Sequence, residues 1–184
     1  MPAIVPNDQL ASVVNAVRDG LRQAPEPPIA TFSVESSLKQ GYQVELAARQ
    51  FSFLSDEPEK IGGTDLGPTP VEYVLAGLAA CQEIVYATYA RVLDIEITSL
   101  KVRAEGSLDL RGFFGVADVQ AGFSSVTYSV DIDSPAPAEE IRRLIDTVNA
   151  KCPVLEIIKD PVPVTSAYAL NGEALEVAPV FSAD

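Results

Sequence analysis

Two cysteines are the residues of this chain whose types and positions could most readily do chemistry. Cys81 lies inside a long apolar stretch, and Cys152 is followed directly by Pro153. The chain contains no histidine, which removes the commonest general base and metal ligand and, with them, Ser-His-Asp and Cys-His catalysis. Any reaction must therefore use cysteine, carboxylate, arginine, lysine or tyrosine side chains.

The cysteine pattern argues against the usual structural uses of cysteine. Two cysteines do not make a disulfide scaffold in a chain of 184 residues, and no C-x-x-C motif indicates zinc binding or thioredoxin-like chemistry. We predict no metal site and no cofactor. A free thiol can still act as a thiolate, which attacks the O–O bond of a peroxide and becomes a sulfenic acid.

The element that must position Cys81 is a long helix entered from a glycine- and proline-rich loop at residues 62–68. Thr69 is a natural N-cap, Pro70 fits the first helical position, and Glu72 completes a capping box. No side chain in residues 73–81 is charged or an amide. We therefore expect this part of the helix to be buried on all sides.

The position of each cysteine predicts its reactivity. Cys81 lies in mid-helix, so burial would raise its pKa and a nearby cation must compensate if the thiol is active. Taken alone, Cys81 is more typical of a buried core thiol. Gly77, one turn earlier, leaves space for a small substrate or for close helix packing. Cys152 lies near the predicted N-cap of a short helix, which favours a lower pKa.

The remaining elements indicate an α+β fold in a single domain, 1–184, because antiparallel hairpins rather than βαβ units alternate with the helices. An amphipathic helix and a Pro-rich linker form an N-terminal extension, 1–28, and residues 171–184 are predicted to be a solvated tail. The predicted strands are 29–38, 42–48, 49–54, 95–108, 123–132 and 162–169, and the other helices are 8–22, 134–150 and 154–159. The strands at 95–108 and 123–132 are expected to pair.

Charge and hydropathy restrict the partners. The net charge is −13, with 26 acidic and 13 basic residues, and no basic cluster favours nucleic acid or anionic membranes. Gln82 interrupts the apolar run too early for a membrane span. The N-terminal residues lack the pattern of a signal peptide, so we expect a cytoplasmic location, where free thiols persist.

The segment at residues 62–81 and the later Cys-Pro-Val at residues 152–154 resemble the OsmC/Ohr family. The matched features are the helix start at Thr69-Pro70, the cysteine within that helix and the second Cys-Pro. The resemblance extends from the first hairpin to Leu170. It implies antiparallel sheets around two long central helices and an intertwined homodimer. It also implies a role in the oxidative stress response, with Cys81 as peroxidatic and Cys152 as resolving cysteine.

Active peroxidases of that family also use an arginine from the N-terminal strands and a glutamate directly after the helix-start proline. Here Val71 follows that proline, and Glu72 lies roughly opposite Cys81 on the helix, so it is better interpreted as a cap. Arg49 is the candidate arginine, although a solvated residue at the end of the strand is the more typical role for it. Asp56 or Glu57 could supply the carboxylate, although both also suit a turn.

The leading hypothesis is a homodimeric peroxidase that reduces organic hydroperoxides and is regenerated by a dithiol reductant. An apolar substrate pocket lined by Val74, Gly77, Leu78, Phe113 and Phe114 is expected. The alternative is a non-catalytic protein that binds a small hydrophobic ligand at the dimer interface. A third possibility is a structural domain whose two thiols are core residues.

Overall fold

A computed structural model describes residues 8–160 and 162–178 of the chain. The start of the predicted N-terminal extension and the end of the predicted tail lie outside these residues. Five helices and seven strands are present in the described part. Helices α1, α2, α3, α4 and α5 span Asp8–Gln23, Pro70–Val92, Leu110–Phe113, Ala138–Lys151 and Pro153–Lys159. Strands β1 to β7 span Glu35–Leu38, Val44–Ala48, Phe51–Ser55, Ser99–Leu108, Phe123–Asp133, Tyr168–Leu170 and Glu173–Leu175. The α+β class predicted from the sequence is confirmed.

The strands form three separate antiparallel sheets. The first has the order β1-β2-β3, the second is the long β4-β5 hairpin, and the third pairs β6 with β7. Strands β4 and β5 pair along almost their whole length, from Ser99 opposite Asp133 to Leu108 opposite Phe123. The predicted pairing of these two strands is therefore confirmed.

The core lies between α2, the β4-β5 hairpin and the two later helices. Helix α2 packs against β4, α4 and α5, and α1 also contacts it. The buried residues of this core are Leu78, Val85, Tyr86, Ala90, Ile95, Ile97, Leu144, Val148, Cys152 and Leu155. Both long helices therefore meet in the layer that also holds the second cysteine.

Three predicted strand boundaries were too wide. Strand β1 begins only at Glu35, because its partner β2 is five residues long and Glu35 already pairs with Ala47 near the end of β2. Strand β4 begins at Ser99, because the chain leaving α2 first turns inward to bury Ile95 and Ile97 in the core. The predicted strand at 162–169 is reduced to β6, whose partner β7 comes from the residues predicted to form a tail.

The prediction that residues 73–81 are buried on all sides is wrong for this chain. Val74 is 45% exposed, and Ala76 and Ala80 are also exposed. Ile84, one turn further along the helix, is 66% exposed. Among the described residues, the apolar stripe of α2 that includes Ala80 and Ile84 is thus left uncovered.

Candidate active site around two cysteines

Helix α2 begins as its sequence dictates. The Thr69 side chain accepts a hydrogen bond from the backbone N–H of Glu72, and the Glu72 carboxylate accepts one from the backbone N–H of Thr69 at 2.7 Å. Pro70 occupies the first turn of α2. A backbone N–H at this position would have no partner within the helix, so proline's missing N–H does not weaken it. The predicted capping box is confirmed, and it fixes where Cys81 falls along the helix.

Cys152 stands at the junction of two helices. It ends α4 and begins α5, with φ −83° and ψ 109°, because Pro153 disfavours helical geometry in the residue before it. Its side chain is only 1% exposed and belongs to the core. A hydrogen bond of 2.7 Å from the Tyr128 hydroxyl to Asn149 Oδ1 ties the end of α4 to strand β5 close to this junction.

The fold brings the two sulfur atoms together. Cys152 Sγ lies 3.3 Å from Cys81 Sγ, with the Cys152 thiol as donor. Both thiols are free. A disulfide requires about 2.05 Å between the sulfurs, so a small movement of either side chain would close the bond. The sequence placed both residues in the candidate site, and the tertiary structure puts them in contact.

The surroundings of Cys81 act on its pKa in both directions. Burial raises the pKa of the Cys81 thiol, and the neighbouring Cys152 adds to that rise, whereas a hydrogen bond from the backbone N–H of Val154 lowers it. The net direction is upward, as expected for a thiol in mid-helix. Burial also raises the pKa of the Tyr128 hydroxyl, and the charge of Cys152 adds to that rise.

The two predicted supporting residues lie on other elements. Arg49 occupies the turn between β2 and β3 in a left-handed conformation, φ 56°, with its guanidinium 5.2 Å from the centre of the Phe51 ring. Glu57 follows β3, and burial raises its pKa, assisted by the charges of Asp56 and Glu72. Within the described chain, Arg49 contributes nothing to the Cys81 pKa.

Asp56 has a structural role in the loop that leads into α2. Its carboxylate accepts hydrogen bonds from the backbone N–H groups of Glu57, Thr64 and Leu66 and from the Thr64 hydroxyl. The Thr64 hydroxyl makes the largest contribution to lowering the pKa of Asp56, and the backbone donors lower it further. The side chain is buried, so it holds the loop together rather than facing a substrate.

The predicted pocket residues are divided between surface and core. Val74 lines a cavity of about 390 Å³ together with Phe123, Val126 and Ile158. Leu78 is fully buried in the core. A side chain added at Gly77 would meet nothing within 4 Å, so within this chain that glycine borders open space rather than a close helix contact.

Phe113 and Phe114 form their own contact. They lie at the end of α3 with ring centres 4.9 Å apart in an edge-to-face arrangement, and Phe113 remains 54% exposed. They do not line the cavity that contains Val74. Both rings are exposed in the described chain, so the predicted pocket is not formed from these two residues and Val74 within one chain.

Sequence reasoning missed the significance of Gln82. Its side chain is fully buried at 0% exposure, and neither of its polar atoms has a hydrogen-bond partner in the part of the chain that the structure describes. The available signal was a lone amide directly after Cys81 in an apolar helix. The contact between Tyr128 and Asn149 had no such signal, because it joins a strand to a helix far along the chain.

Residues 8–160 and 162–178 contain no group of three or more cysteine and carboxylate side chains that could hold a metal ion. None of their helices combines the length and apolarity that crossing a membrane requires.

A family model described as OsmC-like protein matches residues 63–167, which is more than half of the chain. The chain belongs to the OsmC-like protein family. The matched segment begins just before the capping box of α2 and contains both cysteines, whereas the candidate residues Arg49 and Glu57 precede it. Helix α1 and the first sheet precede it.

Solved structures show the same OsmC-like fold. An OsmC-like protein from Mycoplasma pneumoniae has a TM-score of 0.62 at 23% identity, covering 72% of this chain and 89% of that chain. An organic hydroperoxide resistance protein OsmC from Legionella pneumophila has a TM-score of 0.56 at 22% identity, covering 72% and 91%. An organic hydroperoxide resistance protein from Elizabethkingia anophelis has a TM-score of 0.57 at 17% identity, covering 74% and 93%. At these identities the likeness establishes the fold. No curated protein matches the chain.

Proposed function

We propose that this OsmC-like protein is a two-cysteine thiol peroxidase that reduces organic hydroperoxides. The observation that supports the proposal most directly is the 3.3 Å distance between the reduced sulfurs of Cys81 and Cys152. A pair of unreactive core thiols has no need for such contact, whereas a peroxidatic and a resolving thiol must meet in every catalytic cycle. The names of two structural relatives as hydroperoxide resistance proteins agree with this chemistry.

The exposure of each sulfur suggests its role. Cys81 is partly exposed and Cys152 is buried, so a hydroperoxide can approach Cys81 and not Cys152. The Cys81 thiolate attacks the outer oxygen of the hydroperoxide, which releases an alcohol and leaves a sulfenic acid on Cys81. The Cys152 sulfur then attacks the Cys81 sulfur, and a disulfide forms with loss of water. A dithiol reductant restores both thiols.

Activation of Cys81 needs a nearby cation that lowers the pKa of its thiol, and no cation is among the groups that shift this pKa within the described chain. Its raised pKa keeps most of the thiol protonated at neutral pH. Two features support completion of the site by a second copy: the uncovered apolar stripe with Ala80 and Ile84, and a first sheet across which no helix of the described chain packs extensively. A homodimer would cover both, and Arg49 of the partner is then the candidate cation.

The substrate class follows from the surfaces beside Cys81. Val74 lines a cavity whose wall combines apolar side chains with Ser124 and Ser125 and has no charged residue. Gly77 lies one turn before Cys81 on nearly the same side of α2, next to open space. An apolar alkyl or aryl hydroperoxide suits this lining better than a charged one. We place the protein in a reducing compartment such as the cytoplasm, where a dithiol donor is available.

The experiment is a thiol count on reduced protein before and after one equivalent of cumene hydroperoxide, with peptide mapping. We expect rapid loss of both thiols into a Cys81–Cys152 disulfide. The matched control is Cys152→Ser, which should lose one thiol and accumulate a sulfenic acid on Cys81. Retention of both thiols in the wild-type protein would overturn the peroxidase proposal.

A second candidate function is favoured by the raised pKa of Cys81. If no cation reaches Cys81, the thiol stays protonated, and the cavity beside Val74 would instead hold a small hydrophobic ligand between two copies. Native mass spectrometry of the purified protein distinguishes the two. A bound apolar molecule, together with unreactive thiols, would favour ligand binding over catalysis.

A further inference from the structure

The Gln82 amide is buried without a hydrogen-bond partner among the described atoms of the chain. The side chain is fully buried, yet within the described residues neither Oε1 nor Nε2 has a hydrogen-bond partner. Burying an amide in this way forfeits its hydrogen bonds to water without replacement, and such groups are rare in folded proteins. A compensating partner of another kind is therefore expected.

The location of Gln82 limits what that partner can be. Leu78, Val85 and Tyr86 lie on the same side of α2 and are buried with it, and Cys152 belongs to the same core. Since the chain encloses Gln82 completely, the side chain of a second copy cannot reach the amide. The hydrogen-bond partner of the amide must therefore be as small as a water molecule or an oxygen atom carried by a neighbouring side chain.

Gln82 also follows Cys81 directly in α2. Successive helical side chains diverge by about 100°, so Gln82 does not face the Cys81 thiol directly but points to its core side. Cys152 reaches Cys81 from that core. Because the amide makes no hydrogen bond to either sulfur, a bridging water would be the link between them.

We propose that Gln82 is a positioning residue for closure of the disulfide, and that its amide holds a buried water beside the two sulfurs. The inference rests on the proposed peroxidase function. In the closing step the Cys152 sulfur attacks the Cys81 sulfur, the S–O bond of the sulfenic acid breaks, and the departing hydroxide takes up the proton of the Cys152 thiol to become water. The Gln82 Nε2–H group orients the bound water, which donates to the departing oxygen.

This assignment explains why a polar side chain is tolerated at a core position. A leucine would fill the same space without an unsatisfied amide, and by packing alone it would be the more stable choice. In the sequestered layer around Cys152, however, an apolar residue would leave the departing hydroxide without a hydrogen-bond donor. The stability given up at Gln82 is thus used for chemistry.

The test is Gln82→Leu, with Tyr86→Phe as the matched control. Tyr86 is buried on the same side of α2, and its substitution also removes one buried polar group. One equivalent of cumene hydroperoxide is added by rapid mixing, and the Cys81 sulfenic acid is trapped with dimedone at successive times. We expect closure to slow about 10-fold in Gln82→Leu, with the rate of sulfenic acid formation unchanged and Tyr86→Phe closing at the wild-type rate.

The outcomes separate the inference from the function on which it rests. A thermal midpoint that rises in Gln82→Leu while closure slows supports the role in positioning. An unchanged closure rate overturns the role of Gln82 alone. Absence of any sulfenic acid or disulfide in the wild-type protein overturns the peroxidase function and, with it, the closing step.

A structural measurement tests the bound water independently of activity. In a high-resolution crystal structure of the reduced wild-type protein, we expect an ordered water within hydrogen-bond distance of the Gln82 amide and close to the two sulfurs. An amide satisfied entirely by protein atoms would overturn the water site, whatever the kinetics show.

Discussion

The two halves of this chain differ in how fully each buries its own apolar side chains. From α2 to α5 the residues form a shared core, with Leu78, Leu144 and Val148 each fully buried. The first sheet and the segment before it do the opposite, because Ile29, Phe32, Val34, Leu38 and Phe51 are all exposed. Large apolar side chains left exposed together are typical of surfaces that meet a partner. The C-terminal half therefore assembles the sulfur pair within one chain, while the N-terminal half leaves its large apolar side chains exposed, as the proposed homodimer requires.

The contrast extends to the chemistry. The contact between Cys81 and Cys152 is made entirely within the C-terminal half, whereas the candidate activating residue, Arg49, lies in the N-terminal half and stacks on Phe51. The folded chain thus brings the two sulfurs of the proposed redox pair together, while the residue proposed to activate Cys81 lies in the other half. Mutations in each half can therefore test the contact between the sulfurs separately from the activation of Cys81.

The largest effect is expected from Cys81→Ser. Serine cannot form a sulfenic acid or a disulfide, so turnover of cumene hydroperoxide with a dithiol donor should be abolished. The control is Arg49→Lys, which keeps a cation in the N-terminal half and should lower the rate without abolishing it. Undiminished peroxidase activity in Cys81→Ser would rule out Cys81 as the peroxidatic residue.

The next effect is on stability, and it compares the two halves directly. Leu144→Ala removes a fully buried side chain from the C-terminal core and should lower the free energy of unfolding by about 2–5 kcal/mol. Leu38→Ala removes an exposed side chain from the first sheet, so the loss in a dissociated subunit should be within about 0.5 kcal/mol. Urea unfolding at low protein concentration measures both. Equal losses would contradict the contrast between the halves.

A third prediction concerns the uncovered stripe of α2. Ile84→Glu places a charge on that stripe, so a dimer that covers it should dissociate about 100-fold more readily, since the charge would be buried without a partner. Ser129→Glu is the control, because Ser129 is exposed on β5 opposite Arg103. Analytical ultracentrifugation gives the dissociation constants. An Ile84→Glu protein that dimerises as tightly as the control would place the interface elsewhere.

The smallest effect concerns the loop between the halves and its dependence on pH. The hydrogen bonds to the Asp56 carboxylate lower its pKa below the ordinary value, so they stabilise the folded state at pH values above the unfolded pKa of about 3.9. That contribution is lost as the pH falls through the folded-state pKa. Asp56→Asn should therefore be less stable than the wild-type protein at pH 7, with the difference shrinking towards pH 3.

The corresponding control is Asp131→Asn, an exposed carboxylate on β5. Thermal denaturation followed by circular dichroism across that pH range measures all three proteins. If Asp56→Asn kept the full acid sensitivity of the wild-type protein, the loop carboxylate would not be responsible for it.

The features predicted correctly from sequence are those fixed by neighbours along the chain. The capping box of Thr69 and Glu72 needs only residues three positions apart, and the alternation of β4 and β5 predicted their pairing. The resemblance to the OsmC/Ohr family identified both cysteines as a pair. The predicted burial of residues 73–81 was wrong at Val74 and Ala80, because periodicity shows that a helix is apolar but not which neighbours cover it.

The sequence by itself determined that Cys81 lies within an apolar helix with a defined start and that Cys152 precedes a proline at a helix junction. Only the tertiary structure decided that the sulfurs lie 3.3 Å apart, that Gln82 is enclosed in the core, and that Arg49 belongs to a different half of the molecule. The reason is physical. Caps and turns depend on local hydrogen bonds, whereas a reactive pair depends on how α2 packs against the α4–α5 junction, and that packing is set by side chains far apart in the chain.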